Sequence, residues 1–264
     1  ILLGFGMNLF EILAVGSQSL LIIVSTIGTA LITAYILSRI MNIDRDIATL
    51  VGVGSSICGG SAIAAAAPVI KASDKDIAQS ISVIFLFNVV AAFLFPALGD
   101  MLGFTDTGFG MWAGTAINDT SSVVAAGQTW ASAHGSDTAL NYATIVKLTR
   151  TLAIIPICLG LAYITSKTKN TAADVKITSI FPMFILYFVM AAILNTLAGE
   201  SLPVLAQLPS IGKFMIAMAM AAIGLNTNLV SLVKSGGKPI LLGLVCWIFI
   251  ALVSIGMQHI LGIW

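Results

Sequence analysis

Residues 54–67 read GSSICGGSAIAAAA, and residues 114–127, sixty positions later, read GTAINDTSSVVAAG. Five of the fourteen aligned positions are identical, and most of the others keep a small side chain. Both stretches lie in a chain that is otherwise apolar and poor in charge. Small polar residues at membrane depth are typical of unwound or closely packed backbone that lines a solute site. The pair therefore predicts a membrane transporter.

The composition also places the chain in a membrane. Of its 264 residues, 58% are hydrophobic and 9% are charged, whereas soluble domains carry about 25% charged residues. We predict an all-α polytopic membrane protein that forms a single transmembrane domain over residues 1–264. The apolar runs long enough to cross a hydrocarbon core of about 30 Å are 18–38, 78–99, 141–164, 177–198, 211–233 and 239–263.

Several classes of function are disfavoured by residue content. A net charge of +1 argues against a nucleic-acid surface. The three cysteines are an odd number in apolar or Gly-rich surroundings, so we expect packed thiols and no disulfide framework. The only histidines, His134 and His259, have no zinc-type spacing and no position from which to activate a serine. We therefore expect no catalytic residue, no metal site and no cofactor, and we do not expect an enzyme.

The positive charges between the apolar segments distinguish two paths for the Gly/Ser stretches. If segments 50–70 and 110–130 each cross the membrane, the cations divide seven to three between the two sides. If both are re-entrant, the division is nine to one, which the positive-inside rule favours. The first hairpin would then enter from the cytoplasm and the second from outside, with spanning broken helices as the alternative. The nine cations are Arg39, Arg45, Lys71, Lys75, Lys167, Lys169, Lys176, Lys234 and Lys238, and the single one opposite is Lys213.

A second, weaker repeat supports internal duplication. Residues 4–9, GFGMNL, match residues 224–229, GLNTNL, at an offset of 220. Each match precedes a polar turn and a long apolar segment. With two such pairs, we predict an inverted-repeat architecture of the kind found in secondary transporters, in which the helices at 18–38 and 239–263 run in opposite directions.

Asp119 is the carboxylate that falls inside a predicted membrane element, and Asn118 precedes it. An ionised aspartate at the bilayer centre costs about 3 kcal/mol, so it should be paired or functional. Oxygen ligands of this kind suit Na⁺, and a lone carboxylate suits proton exchange, so we assign Asn118 and Asp119 to the coupling ion. The alternative is a helix N-cap, and both roles are compatible.

Lys147 and Arg150 lie three residues apart and so share one helical face. If the helix enters near Asn141, Arg150 is about 13 Å deep at 1.5 Å per residue. Arg150 is then either the partner of Asp119 or an anion-binding group. Lys147, one turn shallower, is a second substrate-binding candidate unless its side chain extends to the surface.

The uncharged candidates for substrate binding offer backbone N–H groups and hydroxyls, which bind anions well at a helix N-terminus. The alternative is close helix packing through small residues. These candidates are Ser55, Ser56, Gly59, Gly60, Ser61, Thr120, Ser121 and Ser122.

Other polar and aromatic residues have structural interpretations. We expect Asn88 and Asn195 to form interhelical hydrogen bonds, and Asn8, Asn226, Thr227 and Asn228 to cap helices. The four tryptophans, Trp112, Trp130, Trp247 and Trp264, lie towards segment ends and are interpreted as anchors at the membrane interface.

With these motifs in place, the chain resembles the YeiH-type family of bacterial inner-membrane proteins, which are described as sulfate exporters. The matching motifs, spread over the chain, are GSSICGGS at 54–61, PVIKA at 68–72, the stretch 114–127 ending in VVAAG, Lys147-x-x-Arg150, and MAMAAIGL at 218–225. Some members of the family have His-Glu where this chain has Asn118-Asp119. Members of the family are longer at the N-terminus, so we expect further membrane helices before Ile1.

The resemblance implies a secondary active transporter of a small anion, sulfate or an organic anion, in the bacterial inner membrane. Export would be coupled to Na⁺ or H⁺, with the lipid bilayer as surroundings and a homodimer as one expectation for the assembly. A channel or holin-like pore is the first alternative, since it would use the same small residues. A non-transporting scaffold and an intramembrane hydrolase acting through a serine such as Ser61 are the others.

Overall fold

The structure is a computed structural model, and it describes residues 2–169, 183–198, 207–212, 214–215, 218 and 237–264. Its main elements in the described ranges are helices: a 3-10 turn at Leu2–Gly6, α1 at Leu9–Met41, α2 at Arg45–Ser56, α3 at Gly60–Ile70, α4 at Asp74–Leu102, α5 at Asp106–Ala116, α6 at Thr120–His134, α7 at Thr138–Thr151, α8 at Ile154–Lys169, α9 at Met183–Ala198 and α10 at Gly237–Leu261.

Four of the described helical segments are long and apolar enough to cross a membrane. They are Leu9–Met41, Asp74–Leu102, Thr138–Thr165 and Gly237–Leu261, and they coincide with four of the six apolar runs predicted from sequence. A fifth run, 177–198, contains the shorter helix α9. Most of the sixth, 211–233, lies outside the described residues, as do Asn226, Thr227, Asn228 and most of the 218–225 motif.

The ends of the helices follow from local sequence. Asn8 caps α1 by accepting from the N–H of Phe10, which confirms its expected capping role. Ser73 and Thr105 cap α4 and α5 through their hydroxyls. Gly103 and Gly135 end α4 and α6 in the left-handed conformation, where a side chain would be strained.

The first Gly/Ser stretch forms a hairpin made of α2 and α3. Helix α2 begins beside Asp44 and Asp46, and α3 ends just before α4, which carries Asp76 in its first turn. The carboxylates of these three residues lie within 4.8 Å of one another. Since the start of α2 and the exit from α3 are at the same end of the molecule, the chain returns where it entered. We call this end the first mouth, and the break at 57–59 the first tip.

The second stretch forms an equivalent hairpin from α5 and α6. The indole of Trp130, late in α6, donates to Asp106 at the start of α5 at 2.7 Å, and its ring stacks on Phe109 at 4.1 Å between centroids. The imidazole of His134 lies 3.1 Å from the carboxylate of Asp100 near the end of α4. These contacts define a second mouth. The second tip is the break at 117–119.

The two mouths are at opposite ends of the molecule because α4 joins them. Its 29 residues extend about 43 Å at 1.5 Å per residue, from the first mouth to the second. Each hairpin returns to the end of the molecule at which it began, and its re-entrant path in a membrane stays a prediction. The internal duplication itself remains a prediction from sequence.

Helices α1 and α10 pack along each other in opposite directions, as predicted. Helix α1 ends at Met41, beside the first mouth. The chain after α10 ends at the second mouth, where Thr105 donates to the carbonyl of Trp264 at 2.8 Å. Between these ends, Cys246 of α10 lies against the carbonyl of Ala30 in α1.

The tryptophans do not fit the expected interfacial role. Trp112, Trp130 and Trp247 are buried at 2%, 1% and 7% exposure. Trp112 and Trp247 both stack on Phe95 of α4. The prediction of membrane anchors was wrong for these three, because their rings fill the contacts that α4 makes with the second hairpin and with α10. Trp264 is the one that stays partly exposed.

Candidate functional site at the hairpin crossing

The tips of the two hairpins meet beside the middle of α4. A Cβ atom built on Gly59 would lie 3.8 Å from the Cα of Asp119 and 3.5 Å from Nδ2 of Asn88. The N–H of Asp119 donates to Oδ1 of Asn88 at 3.1 Å, and Asn88 is the central residue of α4. The structure thus brings the two Gly/Ser stretches together midway between the mouths. We call this place the crossing.

Lys147 of α7 connects the first halves of both hairpins. Its ammonium donates to the carbonyl of Ile57 at 2.6 Å and to the carbonyl of Ile117 at 2.9 Å. These two residues follow the last turns of α2 and α5. Lys147 is fully buried, so the alternative in which its side chain extends to the surface is wrong.

Arg150, one turn further along α7, binds the same two helix ends. It donates to the carbonyl of Ser56 at 2.8 Å and to that of Ser55 at 2.6 Å, both in the last turn of α2. A third bond reaches the carbonyl of Thr115 in the last turn of α5. The last carbonyls of a helix have no partner within the helix and carry partial negative charge. Lys147 and Arg150 give these carbonyls hydrogen-bond donors and offset their partial negative charge.

Arg150 does not pair with Asp119, so one of its two expected roles is wrong. The carboxylate of Asp119 instead caps α6 and accepts from the N–H groups of Ser121 and Ser122 at 2.9 and 3.3 Å. It also accepts from the hydroxyl of Ser121. The capping role that sequence allowed for Asp119 is confirmed.

The second halves of the hairpins differ at their N-termini. Helix α6 begins with the carboxylate of Asp119 on its first N–H groups. Helix α3 begins after Gly59, which has a φ of 67° and no side chain to offer a cap. The two helices therefore start at the same place, one with a built-in anion and one without.

Three buried polar atoms around the crossing have no hydrogen-bond partner among the described residues. They are Oγ of Ser55, Nδ2 of Asn88 and Oδ1 of Asn118. Buried polar atoms are nearly always satisfied in proteins. Their concentration at one place leaves hydrogen-bonding groups that a bound solute could satisfy.

The candidate residues divide into a closed side and an accessible side. Ser55, Ser56, Lys147 and Arg150 are fully buried, and Asn118 and Ser122 are buried at 1% and 4% exposure. Ser61 is exposed. The half-buried remainder comprises Gly60, Asp119, Thr120 and Ser121.

Some small residues of the repeat serve helix packing, the alternative weighed from sequence. A Cβ on Gly114 would approach the carbonyl oxygen of Ala143 and the Cβ of Val146 to 2.8 Å each. A Cβ on Gly110, one turn earlier, would lie 2.6 Å from the Cβ of Tyr142. The two glycines let α5 approach the backbone of α7, which brings Lys147 within reach of Ile117.

Asn88 was expected to make an interhelical bond, and it does, but its position between the tips could not be read from the sequence. A lone asparagine in the middle of a long apolar helix was the available signal. Asn195 also forms the expected bond, from its amide to the carbonyl of Met7 at 3.2 Å.

The chain matches one family model and several membrane proteins of bacteria along its length. The model of a protein family described as "Conserved hypothetical protein 698" matches residues 1–243. A UPF0324 membrane protein of Streptococcus mutans is 58% identical over 272 residues, which cover 100% of this chain and 80% of the relative. A UPF0324 membrane protein of Fusobacterium nucleatum is 56% identical over 278 residues, again covering 100% and 80%. No solved structure matches the chain.

Proposed function

The chain belongs to the family described as conserved hypothetical protein 698, and we propose that, as a multi-pass bacterial membrane protein, it is a secondary transporter of a small anion. The solute would bind at the crossing of the two hairpins. The resemblance to sulfate exporters suggests sulfate or an organic anion as the substrate and export as the direction. Movement would be coupled to H⁺ or Na⁺ through Asp119.

The observation that carries this proposal is the meeting of the two hairpin tips midway between the two mouths. Each hairpin enters from its own mouth, and the tips touch at Gly59 and Asp119. A solute held between the tips can reach either side of the membrane if the helices around it tilt. Alternating access in secondary transporters requires such a central site.

The charges at the crossing favour an anion. Lys147 and Arg150 are two buried cations, and Asp119 is the nearby carboxylate. The cations lie on the carbonyl ends of α2 and α5, while the opposite, N-terminal ends of α3 and α6 also carry partial positive charge. Two cations and two helix N-termini outweigh two carbonyl ends and one carboxylate, so the electrostatic potential between the tips is positive on balance.

A transport assay in proteoliposomes tests the proposal. Proteoliposomes containing the full-length protein would be loaded with unlabelled sulfate, acetate or succinate. The same anion in labelled form would then be added outside. A transporter shows counterflow, a transient accumulation of label that needs exchange through one site. An ion current that does not saturate with anion concentration, and no counterflow, would instead identify a pore.

Binding can be measured separately by thermal stability. An anion that binds the folded protein raises its melting temperature by mass action. Sulfate, sulfite, acetate and succinate would be compared at several pH values, in sodium and in potassium. If none of them stabilises the protein and none is exchanged, the proposed function is wrong.

A further inference from the structure

We propose that the N-terminus of α3, together with the amide of Asn88, forms the anion subsite of the crossing, and that it takes a small oxyanion. This inference rests on the proposed function. It also assigns the two hairpins unequal roles, because the equivalent end of α6 is already filled by Asp119.

Helix α3 has eleven residues and no side-chain cap. Among the described residues, none accepts a hydrogen bond from the N–H of Gly60 or Ser61. Gly60 is half-buried and Ser61 is exposed, so neither residue is fully enclosed by the described helices. Free N–H groups at a helix start bind oxyanions because hydrogen bonding and the helix dipole act in the same direction.

Asn88 provides an independent indication of a ligand. Its side chain is 3% exposed, and Nδ2 has no hydrogen-bond partner in the described structure. The bond from the N–H of Asp119 to Oδ1 fixes the orientation of the amide. Nδ2 then faces the first tip, 3.5 Å from the position that a Cβ on Gly59 would take.

Gly59 has no side chain to occupy the space beside this donor. A side chain there would also meet Cγ2 of Ile84 at 3.2 Å. Lys147 and Arg150 do not bind the anion directly in this subsite, because their ammonium and guanidinium groups donate to buried carbonyls. They contribute positive potential behind the subsite, while Asn88 and α3 contribute the hydrogen bonds.

A backbone test uses two substitutions at one position. Gly60→Pro removes one N–H but suits the first position of a helix. Gly60→Ala keeps the N–H and adds a Cβ only 3.7 Å from the ring of Phe85, an ordinary contact. We expect the dissociation constant for the anion to be at least about tenfold higher in Gly60→Pro than in Gly60→Ala, since a hydrogen bond to a charged group is lost.

A side-chain test uses Asn88→Asp. This change keeps an oxygen for the N–H of Asp119 but replaces the Nδ2 donor by a second oxygen, which repels an anion. We expect a rise of at least about tenfold in the dissociation constant. Ser80→Ala is the control, because Ser80 is another buried, unpartnered polar group of α4 and should leave binding unchanged.

The outcomes separate this inference from the proposed function. Binding of sulfate, sulfite, acetate and succinate would be titrated by thermal shift on the full-length protein, with ligand-free melting curves as a check on folding. If the wild type binds an anion and both Gly60→Pro and Asn88→Asp bind it within twofold, the subsite is wrong and the transporter stands. If the wild type binds none of the four, both fail.

Discussion

At the scale of single residues, two buried cations hold the carbonyl ends of two interrupted helices. Lys147 bonds one carbonyl from each hairpin, and Arg150 adds three more bonds. Without a cation, these carbonyls would be buried without a partner, which costs about 1–3 kcal/mol for each group. Their first role is therefore to make the crossing stable.

Lys147→Met should accordingly destabilise the protein. With two carbonyls released, we expect the free energy of unfolding to fall by about 2–6 kcal/mol. Thermal melts in detergent would measure the change, with Lys238→Met as the control because Lys238 is exposed at the start of α10. Equal melting temperatures for the two variants would contradict the capping role.

The carboxylate of Asp119 caps α6 and is also the proposed site of ion coupling. Two substitutions separate these two roles. Asp119→Asn keeps an oxygen for the N–H groups of Ser121 and Ser122 but has no titratable charge, so folding should be retained. Transport should then lose its dependence on pH or Na⁺. Asp119→Ala should also cost about 1 kcal/mol of stability through loss of the cap. Unaltered pH and Na⁺ dependence in Asp119→Asn transport assays would rule out coupling through this carboxylate.

At the scale of elements, the close approach of α5 to α7 sets the position of the second tip. Gly114 allows it, since a Cβ there would be 2.8 Å from the carbonyl oxygen of Ala143. Gly114→Ala should therefore destabilise by about 1–3 kcal/mol, the usual cost of overpacking. It should also weaken anion binding, because α5 would move away from Lys147.

Gly256→Ala is the matched control for that substitution. Gly256 lies inside α10, and a Cβ there would meet nothing within 4 Å. Alanine is the better helix former by about 1 kcal/mol, so this variant should melt at the same temperature as the wild type or higher. A Gly114→Ala variant that is as stable as Gly256→Ala would show that α5 and α7 do not pack as described.

At the scale of the whole molecule, the hairpins make the two ends chemically distinct. The first mouth gathers Asp44, Asp46 and Asp76, and the second gathers Asp100, Asp106 and His134. Single cysteines at Lys75 and Lys238 should react with an impermeant maleimide from the cytoplasm. Those at Asp106 and Gly135 should react from outside. The three native cysteines are buried and should label slowly.

The labelling pattern tests the path of the chain as well as its orientation. If both hairpins are re-entrant, Lys75 and Lys238 must share a side, whichever side that is. Labelling of these two positions from opposite faces would require the second hairpin to cross the membrane, because that hairpin lies between them along the chain. It would remove the common site at the crossing.

Features that depend on local sequence could be predicted, whereas contacts between distant segments of the chain could not. Membrane class, four long helices and both interruptions were predictable, because hydropathy, chain length and glycine conformation are local properties. The re-entrant path stays a prediction from loop charge, through which the positive-inside rule acts. Capping by Asp119 and the shared helical face of Lys147 and Arg150 could also be predicted, because both depend on residues close together in the sequence.

What the two cations bind was decided by tertiary structure alone. Their partners are carbonyls about 30–95 residues away in sequence, and every residue has a carbonyl, so no side-chain pattern announces such a bond. Asn88 meets both tips only because the middle of α4 passes beside the place where they meet. The buried tryptophans likewise depend on which helices pack on α4. Sequence determined which residues are polar at membrane depth, and packing determined which of them meet, because distances between distant segments are set by the fold.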